Sequence, residues 1–218
     1  MIGAIIGDIV GSRFEWHNHR SKDFDLLTHK CFFTDDSVMS LAVCDALMKC
    51  KADYSDLSEQ AVHSMQDVGR PYPLCGYGGS FRRWMYSDNP MPYNSYGNGA
   101  AMRVSGCGYV GKTIEGAEAT AVAVFLARTG KSLIEIQDYI IQNYYPLGFT
   151  LNSIRENYQF NETCQDTVPQ ALEAFFESTD FEDAIRNAIS IGGDSDTLAA
   201  ITGSVAEAYY GVPTSIRK

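Results

Sequence analysis

Histidine is scarce in this 218-residue chain: His17, His19, His29 and His63 are the only four. They form no helical pair and no repeated ligand spacing, so a histidine-built metal centre has no basis in the sequence. His17 and His19 alternate and read as solvated loop residues. Basic residues are also few, with Lys+Arg at 17 against Asp+Glu at 27 and a net charge of −10. That balance excludes a nucleic-acid backbone or an anionic membrane as the main partner, while leaving room for a local basic pocket around one small anion. Cys31, Cys44, Cys50, Cys75, Cys107 and Cys164 contain no Cys-x-x-Cys unit. With no secretory signature beside them, they read as reduced thiols in a cytosol. Long apolar runs are missing too; residues 121–127 form one of the longest, far short of a bilayer span. The opening Met-Ile-Gly-Ala-Ile-Ile-Gly-Asp lacks the positive flank and length of a signal peptide. A cytoplasmic protein with no membrane partner is expected.

Strand patterns are rare, and helix signals take their place. At 45% hydrophobic residues, the length fits one globular domain over 1–218 with a substantial core. Gly3, Gly7 and Gly11 recur every fourth residue and give the first helix a bare ridge that another helix can approach closely. The cost in helix propensity is about 1 kcal/mol per glycine. Residues 37–49 are almost continuously apolar and predict a buried helix. Asp56-x-x-Glu59 and Ser132-x-x-Glu135 predict capping boxes for helices over 57–68 and 133–143. An alanine-rich helix over 115–128 is followed by Gly130, a C′ candidate. Pro169 fits a first helical turn before 170–177, and Asp180 can cap 181–190. The last helix, over 197–210, is dense in small residues and ends at Gly211. Residues 70–79 and 87–99 are rich in Pro, Gly, Tyr and Asn and read as loops. The expected fold is all-α, one compact helical bundle.

Two short acidic clusters stand near the ends of the chain, Thr34-Asp35-Asp36 and Asp194-Ser195-Asp196-Thr197, each just before a helical run. Taken singly, either is an N-cap with an acidic first turn, in keeping with the helix macrodipole. Taken together, four carboxylates and two hydroxyls form an all-oxygen donor set suited to magnesium or manganese. Like charges 4 Å apart repel by roughly 4 kcal/mol at an effective dielectric near 20, so clustered aspartates need cations or protons to stay together. Asp8 and Glu15 lie seven apart, which two helical turns would place on one face.

Four ordered stretches carry a resemblance. They are Gly3-Ala-Ile-Ile-Gly-Asp-Ile-Val-Gly-Ser-Arg-Phe-Glu15, Phe33-Thr34-Asp35-Asp36-Ser37, Tyr96-Gly97-Asn98-Gly99-Ala-Ala-Met-Arg103 and Ile191-Gly-Gly-Asp194-Ser-Asp196-Thr197. Together they resemble the ADP-ribosylglycohydrolase family, from residue 2 to about residue 213. The resemblance implies an all-α fold around two divalent cations, Mg²⁺ or Mn²⁺. It also implies hydrolysis of the glycosidic bond joining ADP-ribose to an acceptor, in an ADP-ribosylated protein or a small molecule. Carried over by position, Thr34, Asp35 and Asp36 match the first ligand group, and Asp194, Asp196 and Thr197 the second. Ser195 between them is a spacer or hydrogen-bonding residue. Glu15, Asp35 and Asp36 are the catalytic candidates, with Asp8 supporting the ligands from behind. Glycine lets backbone N–H groups approach phosphate oxygens. Through the resemblance, Gly76, Gly78 and Gly79 would hold the pyrophosphate, and Ser95, Tyr96, Gly97, Asn98 and Gly99 the ribose and adenine end. Tyr93 and Tyr96 are stacking candidates, and Arg13 and Arg103 are candidates to meet a phosphate.

One departure matters. Relatives carry a helix and a Thr-His pair between the Gly-Asn-Gly-Ala-Ala-Met-Arg stretch and the alanine-rich helix, whereas here residues 108–116 join the two directly. The chain therefore reads as internally shortened. Two further readings follow: an ADP-ribose-binding module with impaired catalysis, and a magnesium-dependent phosphoesterase cutting the pyrophosphate. A monomer or small homo-oligomer is expected.

Overall fold

The computed structural model describes residues 1–111 and 119–217. Among the described residues the secondary structure is helical: α1 (Ile2–Gly11), α2 (Asp35–Lys49), α3 (Leu57–Gly69), α4 (Gly79–Met85), α5 (Gly99–Arg103), α6 (Ser105–Val110), α7 (Ala119–Arg128), α8 (Leu133–Asn143), α9 (Leu151–Ile154), α10 (Cys164–Phe176), α11 (Phe181–Ser190) and α12 (Ser195–Tyr210). The only β pairing among them is an isolated antiparallel bridge between Gly97 and Thr163.

The axis of the molecule is α12, buried from Ser195 through Ala206 and packed against α1, α7, α10 and α11. A helix covered on every side needs small side chains rather than one apolar stripe. The glycine ridge of α1 meets it directly. A Cβ placed on Gly3 or Gly7 would overlap the carbonyl oxygens of Gly203 and Ala199, and one on Gly11 would sit 2.5 Å from the Asp196 Cα. This contact forms the α1–α12 seam and delivers the first turn of α12 to the end of α1. On the outside, α11 repeats the helical period cleanly, burying Phe181, Ala184, Ile185, Ala188 and Ile189.

Local capping follows the sequence at three places. Ser132 and Glu135 form the reciprocal box of α8, Asp180 accepts from the Asp183 N–H at 2.9 Å, and Gly130 turns the chain at φ +85°. Elsewhere the structure corrects the reading. Asp56 does not cap α3, because its carboxylate accepts instead from the Lys51 N–H at 3.0 Å and from Gln60. Pro169 lies inside α10, which starts at Cys164 because the Cys164 N–H bonds Tyr96 O at 3.0 Å. The helix over 37–49 begins two residues earlier and is not buried throughout: Leu41 is 50% and Met48 80% exposed. Glu15 is not on a helix with Asp8, since α1 stops at Gly11. The short helices α4, α5, α6 and α9 were not expected from the sequence. The start of the alanine-rich helix, residues 115–118, and most of the shortened junction lie outside the described residues.

Candidate active site

Three helix ends converge on one buried acidic cluster. Asp8 comes from α1, Thr34, Asp35 and Asp36 from the start of α2, and Asp194, Asp196 and Thr197 from the start of α12. Two carboxylate trios result, Asp8–Asp36–Asp196 and Glu15–Asp194–Asp196, each with one oxygen per residue lying within 4.8 Å of the others. Asp196 belongs to both. Glu15 reaches its trio from the turn after α1.

Asp8 is fully buried and holds the α2 terminus in place. Its carboxylate accepts the Thr34 N–H at 2.9 Å, the Thr34 hydroxyl at 2.7 Å, the Ser37 N–H at 3.1 Å and the Ser37 hydroxyl. Asp8 thus holds Thr34 by two hydrogen bonds and also belongs to the first trio, which the sequence reading did not assign. Thr34 is a working N-cap as well, taking the Asp36 N–H at 3.3 Å. Asp194 is not: its side chain makes no cap bond and instead accepts from the Asn98 amide at 2.7 Å. Thr197 donates to Asp36 Oδ2 at 3.2 Å, bridging the two clusters.

The charges oppose one another. Burial first, then Asp8, Asp35 and Asp194, push Asp36 well above the ordinary carboxylate range. Asp196 is driven the same way by burial, Asp36 and Asp194. Asp8 is raised by burial despite its four donors. Glu15 is lifted to about 7 by burial and by Asp194, Asp35 and Asp8. Asp35 also reaches about 7, through burial, with Arg103 pulling the other way. It lies outside both trios, with its N–H on Cys75 O at 2.6 Å and its Oδ1 near Gly76. Most telling is Asp36 Oδ1, which is buried and receives no donor from the described residues. A carboxylate oxygen left bare in a repulsive cluster fits a hard cation.

The expected substrate loops form a wall beside this floor. Gly76 takes φ +95° against Asp35, Gly78 has no atom within 4 Å of a would-be Cβ, and Gly79 opens α4. Gly97 pairs with Thr163, while Tyr96 is 77% exposed. Asn98 is buried, its amide spent on Asp194 and on Thr167 Oγ1 at 3.1 Å, so it braces the cluster. Ser95 accepts the Gly97 N–H at 3.1 Å, and Gly99 opens α5. Arg13 lies over the Phe14 ring and bonds Thr28 and the Asp25 carbonyl. Arg103 lies over the Phe81 ring and bonds Gly99 O; burial lowers its pKa, with Asp35 and Asp36 opposing that shift. Asn18, Arg20, Tyr158 and Thr167 also touch the site's supports and had no signal in the sequence, because their partners in these contacts lie more than 60 residues away.

The ADP-ribosylglycohydrolase family model matches residues 1–132 and 112–217. Human ADP-ribosylhydrolase ARH3 is 24% identical over 310 aligned residues, covering 97% of this chain and 84% of the human protein. The ARH3 of Xenopus tropicalis is 22% identical over 300 residues, covering 97% of this chain and 86% of that one. Alignments longer than the chain itself mean that these relatives carry internal residues with no counterpart here. The family match breaks into two parts over 112–132, next to the junction read as shortened. Among solved structures, an ADP-ribosylglycohydrolase-related protein complex shares the fold, with TM-score 0.66 and 21% identity over 99% of this chain and 88% of that one. The ordered motifs, the helical architecture and the family match agree, and the chain belongs to the ADP-ribosylglycohydrolase family.

Proposed function

We propose that this protein hydrolyses the glycosidic bond between ADP-ribose and an acceptor, using a centre of two divalent cations. The observation that carries the reading is the pair of carboxylate trios sharing Asp196, with a bare buried oxygen on Asp36. Thr34, Asp35 and Asp36 on one side and Asp194, Asp196 and Thr197 on the other would hold the ions, with Asp8 and Glu15 close enough to join them. Bound Mg²⁺ or Mn²⁺ supplies charge neutralisation, orientation of ribose hydroxyls and acidification of a water.

The chain's own groups do the rest. Glu15, lifted to about 7, accepts a proton near neutral pH more readily than an ordinary carboxylate. The surrounding carboxylates stabilise positive charge developing at the anomeric carbon as the acceptor departs. Gly76 presents backbone beside Asp35, and Gly78, open where a side chain would stand, and Gly79 continue the loop that a pyrophosphate would approach. Tyr96, exposed at the rim, offers a face for the adenine.

The test is product analysis by mass spectrometry after incubation with Mg²⁺ and a panel of ADP-ribosylated substrates. Free ADP-ribose together with intact acceptor is the expected result. AMP as the first product would replace the reading with pyrophosphate cleavage. Ligand retained without any product would leave a binding module.

A further inference from the structure

The turn that delivers Asp194 to the cluster is conformationally weak on its own. Gly192 and Gly193 both take left-handed backbone, at φ +73° and +80°. Consecutive glycines have the widest choice of conformations of any pair, so something outside the turn must select this one. The selecting groups come from residues 18–20, just beyond Glu15. The Gly193 N–H donates to Asn18 Oδ1 at 2.9 Å. A Cβ on Gly192 would fall 3.2 Å from Asn18 Cγ and 3.4 Å from Arg20 Cζ, so both side chains lie flat on the turn. The Arg20 guanidinium fastens three carbonyls: Ile191 O at 2.9 Å, Tyr158 O at 2.6 Å and Arg155 O. On the other face the Tyr158 ring fills the space a Gly193 side chain would need.

The consequence is a short mechanical link. Asn18 is three residues from Glu15, and its hydrogen-bond partner is adjacent to Asp194. Glu15 and Asp194 are members of one trio with Asp196. Glu15 has no helix to fix it, and Asp194 follows two glycines. The Asn18–Gly193 bond therefore joins the two least constrained members of that trio.

We propose that Asn18 is a positioning residue for the Glu15–Asp194–Asp196 half of the site, acting through Gly193, with Arg20 anchoring the strap from which it reaches. This rests on the two-cation reading above. The test is Mn²⁺ binding to the full chain, read by electron paramagnetic resonance of the free ion, for wild type, Asn18→Ala and Asn18→Asp. Thermal unfolding of the metal-free proteins is followed in parallel. The weaker of two Mn²⁺ affinities is expected to fall about 10- to 100-fold in Asn18→Ala, the range typical of lost support behind a ligand. Asn18→Asp keeps an acceptor oxygen and is expected to restore binding to within a few-fold. The metal-free midpoint of Asn18→Ala should stay near that of wild type, because the side chain is solvent-exposed. Unchanged Mn²⁺ affinity in Asn18→Ala overturns the positioning role while the two-cation centre stands. A loss that Asp does not restore, or one matched by lost metal-free stability, overturns it too. A wild-type chain that binds no Mn²⁺ rejects the centre itself, and the positioning role with it.

Discussion

Along the α1–α12 seam, backbone lies against backbone, and the ends of those two helices carry Asp8, Asp194 and Asp196, three of the four buried carboxylates of the site. Across from it, the wall formed by residues 70–99 is open: Gly78 has no neighbour where a side chain would go, Leu74 is 89% exposed and Tyr96 77%. One region has no spare volume and the other has a surplus. The difference follows from what each must hold. Carboxylates that repel one another stay together only on a rigid frame, whereas a loop wall can adapt to a ligand that arrives and leaves.

The sharpest way to break this contrast is to add volume at the seam. Gly7→Val places branched carbon where the Ala199 backbone already stands. The helices must separate, at a cost of about 3 kcal/mol. For a domain of this size that is about 6–12 °C in Tm, measurable by circular dichroism. A Tm within 2 °C of wild type would show that the seam yields, and the rigid-frame argument would fail.

Next in size is Asp36→Asn, which separates stability from function within the frame. Removing a charge that burial and Asp8, Asp35 and Asp194 all oppose should stabilise the metal-free protein, read as a raised Tm. The same change removes the bare oxygen and should lower turnover by at least about 100-fold. Added Mn²⁺ should raise the Tm of wild type but not of the variant. Equal stabilisation of both by Mn²⁺ would remove Asp36 from the ion-binding set.

A buried acid far from the cluster gives the control. Glu173 on α10 is 6% exposed, its Oε2 has no hydrogen-bond partner among the described residues, and burial together with Glu177 lifts it to about 7. Its folded pKa is above its ordinary value. The native state therefore holds the proton more tightly, and stability is full below about pH 4.5 and lost as pH rises through 7. Glu173→Gln should leave stability unchanged at pH 4.5 and raise it by about 1–2 kcal/mol at pH 8, read from urea unfolding at both values. Unlike the site carboxylates, wild-type Glu173 should gain nothing from Mn²⁺.

The frame was legible in the sequence because its signals are local or periodic. The four-residue glycine spacing announced a close helix contact, Ser132 and Asp180 capped where expected, and the two acidic clusters stood before helices. What escaped reading depends on distant backbone. Pro169 looked like a helix start, yet α10 begins earlier because Tyr96 O, 68 residues back, captures the Cys164 N–H. Asp56 looked like a cap until the Lys51 N–H took its carboxylate. The bond from the Asn98 amide to Asp194 spans 96 residues and had no local signal. Asn18 and Arg20 carry no motif, because what they hold is a turn of glycines and carbonyls that any sequence could supply.

The smallest expected effect tests the wall directly. Gly78 has φ −54° and ψ 142°, a conformation open to any residue, and a Cβ there meets nothing. Gly78→Ala should therefore change stability by less than about 0.5 kcal/mol. If the loop receives a pyrophosphate, the added methyl stands between ligand and backbone, so KM should rise about 3- to 10-fold while kcat stays within about twofold, the pattern of lost uniform binding. A fall in kcat with unchanged KM would mean that the loop acts on the reacting atoms instead of on the nucleotide. No kinetic change would move the pyrophosphate away from residues 76–79 altogether. Only the first outcome keeps the division of labour between a rigid acidic floor and an adaptable glycine wall, since it alone separates binding from chemistry at a position that costs the fold nothing.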